Sequence, residues 1–266
     1  MRKSILHPRA SDLHRWPIFL LYLLAFGAAG PSTQPQRLSF QSSVGQILDA
    51  LDARGKDLKN FSAGVVLTAT DNSTGDARNN TGTVIFQRKG DDDARIRVDF
   101  TRQQLGDKIF TVDHQYALDN GILDDRDYKK KHETLNQILE PGQKLDLFKL
   151  GKGPFPLPLG QKKEDVLNAF QVDKIDPDPA DPSQTVHLRL TPKIGTQLAK
   201  DFKTIDIWVD TATAMPRRIQ TIDINQTETK TTDLTDIKMN GDITDKDFAQ
   251  PPMPPDSDVV EGPYAR

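Results

Sequence analysis

Five histidines stand in the chain, His7, His14, His114, His132 and His187, and there is no cysteine. Without thiols, the chain has no disulfides, cysteine nucleophiles or thiolate metal sites, and no lipid-attached N-terminal cysteine. The histidines are isolated in sequence and none falls in an H-E-x-x-H or comparable spacing, so no metal site is read from them. His187 alternates outward on an expected strand and reads as a surface group. Aspartates cluster at Asp91-Asp92-Asp93, at Asp124-Asp125-Arg126-Asp127, and at Asp176, Asp178 and Asp181. None matches a calcium loop, which spaces its acids as D-x-[DN]-x-[DN]-G with a distal glutamate; aspartate's preference for turns accounts for all three. Gly151-x-Gly153 lacks the phosphate-loop pattern, and no G-x-S-x-G elbow occurs. A hydrolase whose carboxylates meet only in space is a rival reading, but no stretch points to it. The sequence therefore implies no catalytic residue, no metal and no cofactor. What remains is the chemistry of apolar surfaces.

Those surfaces are carried on strands. In Phe202-Lys-Thr-Ile-Asp-Ile-Trp-Val-Asp210, Ile205, Ile207 and Val209 point one way, while Thr204, Asp206 and Trp208 point the other. A period of two marks a half-buried strand. Residues 217–225 return from Pro216 and residues 229–239 go out again, completing a meander. Upstream, strands are expected over 62–69, 81–88, 95–100, 108–113, 115–119 and 122–130, then over 171–176 and 184–191. Their inward parity supplies Val65, Leu67, Val84, Phe86, Ile96, Val98, Phe100, Val186, Leu188 and Leu190, which with Ile205 and Ile207 form the candidate apolar lining. For each of the twelve taken singly, ordinary sheet core is the plainer reading; a pocket is argued only from the set. Trp208 faces outward, with cover by the chain itself favoured over a contact site. Closely spaced strands with turns between them argue for one large antiparallel sheet or barrel rather than βαβ units.

A helix is expected ahead of the sheet. Ser42 or Ser43 can cap it, and Val44, Ile47, Leu48 and Leu51 follow the i, i+3, i+4, i+7 stripe. The apolar face of the sheet is what it would cover. Residues 135–148 have helical spacing broken at Pro141-Gly142. The Pro-rich loop 151–160 carries Phe155 and Leu157, read as a flap or as a loop folded against the core's edge. A short helix over 162–170 follows it.

The chain has 266 residues, 27% charged and 36% hydrophobic, with a mean hydropathy of −0.57. Met1 to Arg15 is basic, and Trp16 to Gly30 is an apolar run ending in small residues. That combination reads as a secretory signal, cleaved near Ala29, and the run is shorter than the ~20 residues of a membrane span. Cleavage there removes a net three positive charges from a chain of −3, leaving −6. Nucleic acid is not an expected partner for a chain without a basic excess. The expected organisation is a signal peptide at 1–29, a tether at 30–41, one domain at 42–255 and a C-terminal tail at 256–266.

The order of these features resembles the LolA family of periplasmic lipoprotein carriers. The resemblance rests on the N-terminal amphipathic helix, Phe61-Ser-Ala63, Val186-His-Leu-Arg-Leu-Thr-Pro192, Phe202 to Asp210, Thr213-Ala-Met-Pro216, Asp236-Ile-Lys-Met-Asn240 and Phe248-x-x-Pro-Pro252. It spans about Ser42 to Pro255. It implies an α+β fold in which a large antiparallel sheet forms an unclosed half-barrel covered on its concave face by helices. It also implies a non-enzymatic periplasmic carrier whose cavity takes the acyl chains of lipidated proteins or a similar ligand. An inner-membrane donor complex and an outer-membrane acceptor would be its partners. In these terms Ile47, Leu48, Leu51, Phe155 and Leu157 belong to the lid. Aligned on Phe86-Gln-Arg-Lys-Gly90, Lys89 takes the place of the arginine that helps hold that lid, and lysine lacks arginine's rigid fork. A sensor of the same fold, acting through protein partners in an envelope response, is the alternative.

Overall fold

Alternating apolar residues organise almost the whole chain into strands. In the computed structural model, residues 37–90, 93–138 and 162–262 are described. The chain enters through α1 (Val44–Asp57) and then runs through β1 (Asn60–Asp71), β2 (Ala77–Arg88), β3 (Ala94–Leu105), β4 (Lys108–Asp119), β5 (Ile122–Asp127) and β6 (His132–Gln137). After α2 (Lys163–Ala169) come β7 (Phe170–Ile175), β8 (Thr185–Pro192), α3 (Leu198–Asp201), β9 (Phe202–Asp210), β10 (Pro216–Asp223) and β11 (Glu228–Met239). A turn of helix, α4 (Asp245–Phe248), leads to a last strand, β12 (Asp258–Gly262).

All twelve strands join one sheet in the order β12-β6-β5-β4-β3-β2-β1-β11-β10-β9-β8-β7. The sheet does not close, so the fold is the unclosed α+β half-barrel that the sequence implies. Every pairing is antiparallel except that of β12 with β6, which is parallel. Curvature has a local source. Register shifts fall at Ser62/Gly64, Thr81/Gly82 and Phe100/Arg102 on neighbouring strands, and bulges bend and twist the strands that carry them. At the middle one the backbones nearly touch. A Cβ on Gly82 would lie 1.8 Å from the carbonyl oxygen of Asp99, so only glycine permits this approach.

Three expectations change. His132–Gln137 is a strand, where the spacing from Leu135 onward suggested a helix; the rest of that expected helix lies outside the described residues. Residues 108–119 form one continuous strand rather than two. Part of the segment expected as a C-terminal tail, residues 258–262, is a strand of the sheet. Residues 245–257 cross its back, and β12 then pairs with β6. Arg95 holds Asp245 and lies 4.0 Å above the Phe248 ring, Arg97 donates to the carbonyls of Asp247 and Ala249, and both Arg126 and Tyr128 donate to the Pro251 carbonyl. Proline lacks a donor for a sheet ladder but its carbonyl still accepts. A proline-rich segment is therefore held here by side chains instead.

Candidate functional site

The inward parity of the strands collects the candidate lining in one place. Val65 and Leu67 on β1, Val84 and Phe86 on β2, and Ile96, Val98 and Phe100 on β3 all belong to a single buried cluster. So do Val186, Leu188 and Leu190 on β8, and Ile205 and Ile207 on β9. All twelve face the interior of the sheet. Phe61 and Phe86 stack at 5.5 Å, and Phe100 meets Tyr116 edge-on at 6.1 Å.

α1 lies on this face. Ser43 caps it in a reciprocal box with Gln46, satisfying donors that a helix start otherwise leaves open. Its stripe inserts Ile47, Leu48 and Leu51 into the cluster, at 0%, 3% and 6% exposure. Each such side chain contributes about 1.5–3 kcal/mol by burial. Two guanidinium groups fix the far end of the helix. Arg88 on β2 donates to the carbonyl of Gly55 at 2.6 Å and to that of Leu58 at 3.3 Å, and Arg54 donates to the carbonyl of Thr213 at 2.6 Å. A cation at the carbonyl end of a helix complements both its open acceptors and its dipole.

Lys89, expected as the latch, does not reach α1. Its ammonium pairs instead with Asp119 at 2.9 Å and Asn120 at 3.1 Å. The reason is strand parity: Arg88 shares a face with Phe86, whereas Lys89 lies at the turn and points elsewhere. The other two lid candidates, Phe155 and Leu157, lie outside the described residues.

Towards β5 the same face turns polar. His114 Nε2 sits 2.5 Å from Asp125 Oδ1, its ring lies 4.5 Å from that of Tyr116, and His132 approaches Asp258 at 3.3 Å. Burial, reinforced by Asp125, pushes the Tyr116 phenol well above its ordinary range, so it stays a neutral donor at physiological pH. Sequence reading missed this quarter because its polar residues alternate without an apolar partner row. Among the described residues no group of histidines and carboxylates could hold a metal ion.

The back of the sheet holds a second correction. His187 does face outward but is 8% exposed, not a surface group. Its ring stacks on Trp208 at 4.1 Å, and its Nε2 lies 2.6 Å from Asp206 Oδ1, which also accepts from Arg189 at 2.9 Å. Trp208 donates its indole N–H to Asp181 at 2.5 Å. The loop bearing Asp181 therefore covers the indole, as the reading of self-cover expected.

At the end of the sheet where β1 meets β2, an open cleft of about 460 Å³ is lined by residues that include Ala69, Asp71, Arg78, Leu105 and Glu228. Among the described residues, the site is an open sheet whose oily inner face is roofed by α1.

No protein-family model matches the chain, and no curated protein matches it. Among solved structures it is similar to an uncharacterized conserved protein from Thermus thermophilus, with 13% identity and a TM-score of 0.46 over 83% of this chain and 100% of that one. It is also similar to LprF from Mycobacterium bovis, with 15% identity, a TM-score of 0.40, and 75% and 94% of the two chains covered. A putative outer membrane lipoprotein-sorting protein domain from Vibrio parahaemolyticus matches at 10% identity and a TM-score of 0.34, covering 77% of this chain and 95% of that one. Similarities this distant decide nothing about ligand or partner.

Proposed function

We propose that the chain is an exported, non-enzymatic carrier. It binds the acyl chains of a lipidated protein, or a similar lipid, between the sheet and α1, and passes them towards the outer membrane. The observation that carries this reading is the single apolar interior shared by nine strands and the helix laid across them. Its roof is separable. Apart from side-chain packing, α1 is tied to β2 and to residue 213 by Arg88 and Arg54, to Lys163 at the start of α2 by Asp49, and to Asn240, which donates to the Asp57 carbonyl.

The energetics favour exchange of the roof for a ligand. Lifting Ile47, Leu48 and Leu51 off the sheet costs roughly 5–9 kcal/mol at the burial value of each side chain. An acyl chain gains about 0.8 kcal/mol per CH₂ buried, so one chain with a dozen methylenes inside already offsets that loss. Two or three chains exceed it. No reactive group is required for such a step.

The test is titration of delipidated protein with a triacylated peptide, read by hydrogen exchange of the α1 amides. Saturable binding with faster exchange in α1 is expected. Absence of uptake would end the carrier reading, and a single membrane regulator recovered in its place would favour the sensor.

A further inference from the structure

We infer that the rim bearing the cleft is a docking edge for an anionic lipid bilayer. Strand alternation places five turns on this rim, at residues 128–131, 106–107, 72–76, 224–227 and 193–201. The described residues include ten large hydrophobics that stay exposed, and six of them, Leu105, Ile109, Phe110, Leu167, Ile194 and Ile224, lie here. Ile194 stands fully clear of the protein at 102% exposure and Ile109 at 58%. Isolated exposed apolar residues need no explanation, but their concentration along one edge does.

Charge separates this rim from the other. Asp127-Tyr-Lys-Lys-Lys-His132 carries three lysines against one aspartate, with Lys130 paired to Asp127 and Lys131 to Asp256 at the same rim, and residues 193–203 carry three lysines against one aspartate. Both belong to a chain whose net charge is −3. The opposite rim has Asp176, Asp178 and Asp181 in a turn with no basic residue. The lysines also sit beside the apolar tips. Lys108 precedes Ile109, Lys129 donates to the Thr111 carbonyl next to Phe110, and Lys193 joins Ile194 to Leu167 through the Leu167 carbonyl. Lys108 and Lys200 make no ion pair among the described residues.

The central turns carry an excess of acids, Asp71, Asp76 and Glu228 against Arg78, around the mouth of the cleft. Two flanks that combine apolar tips with cations, on either side of an acidic mouth, fit a flat anionic surface touched at two points. Apolar tips enter the headgroup boundary while lysines meet the lipid phosphates. The inference is independent of the carrier reading, since it needs no cargo.

The absence of cysteine makes the test direct. Full chains bearing Ile109→Cys, Ile194→Cys, Ile122→Cys or Phe40→Cys are labelled with an environment-sensitive nitrobenzoxadiazole dye. Vesicles of equal parts phosphatidylglycerol and phosphatidylcholine are then added, with phosphatidylcholine alone as the comparison. A blue shift and brighter emission are expected at 109 and 194 with the anionic vesicles, weakened by high salt and by adding Lys108→Gln and Lys200→Gln. The probes at 122 and 40, on the other rim, stay unchanged. No response at 109 and 194 would overturn the inference, as would an equal response at all four positions, which would assign binding to the N-terminal segment.

Discussion

Arg88 and Lys89 are neighbours in sequence with the same charge, yet their substitutions should differ sharply. Arg88→Ala removes two hydrogen bonds to the last turn of α1 and leaves part-buried carbonyls unpaired. We expect a loss of about 1–3 kcal/mol, measured by urea unfolding, with faster hydrogen exchange across residues 51–58. Lys89→Ala breaks pairs that are one-third exposed or more, and such pairs contribute about 0–1 kcal/mol. Equal effects on helix exchange would refute the assignment of Arg88 as the latch. The distinction was available in the sequence, because a residue two places beyond Phe86 shares its face, but placing Lys89 at the position of the latching arginine concealed it. Gly82 offers a harsher test. Gly82→Ala forces a methyl into the Asp99 carbonyl, and a destabilisation of at least about 3 kcal/mol is expected, or loss of soluble protein. Unchanged stability would show that the bulge does not hold the two backbones together.

Elements differ in how plainly the sequence announces them. The strands around Val65, Val98, Leu188 and Ile207 alternate strictly because one of their faces is buried, and burial is what makes the pattern visible. β6 gives no such signal: in His-Glu-Thr-Leu-Asn-Gln both faces are largely polar, so the nearby leucines read as helical spacing instead. β12 is five residues long and follows a run of prolines, and its place depends on side chains of β3 and β5 that lie far away in sequence. The burial of the twelve candidate residues was legible as a set, whereas the Tyr116–His114–Asp125 quarter was not, since its members meet only across strands. The turn between β10 and β11 carries a prediction of its own. Burial pushes the Asp223 carboxyl up, but hydrogen bonds from the backbone of Glu228, the hydroxyl of Thr227 and the backbone of Asn225 outweigh it and hold the group below its ordinary value. A depressed folded-state value contributes stability above the unfolded carboxylate pKa of about 3.8, and that stability is lost as pH falls through the folded value. Asp223→Asn should therefore destabilise the protein at neutral pH and much less in strong acid, checked by unfolding at each pH. A pH-independent loss would contradict the linkage.

At the scale of the molecule, the C-terminal segment ties the β3–β6 quarter together across its back. Ending the chain after Ala249 removes the carbonyl that holds Arg126 and Tyr128, the Lys131–Asp256 pair and the whole of β12. It also bares the outer edge of β6. Unpaired edges invite strand addition from other chains. The truncated protein is expected to melt earlier and to self-associate, seen by size-exclusion chromatography over a concentration series. A monomer of unchanged melting temperature would show that the strap is dispensable.

The position of Trp208 has a practical corollary. The only other tryptophan is Trp16, so in a variant made without residues 1–29 a single indole reports on the protein, and it is stacked on His187 beneath the loop of Asp181. Intrinsic emission would then follow events on the outer surface near one margin of the sheet. A guest slipping in under the roof could leave that signal untouched, and a silent spectrum would be no sign of an empty interior.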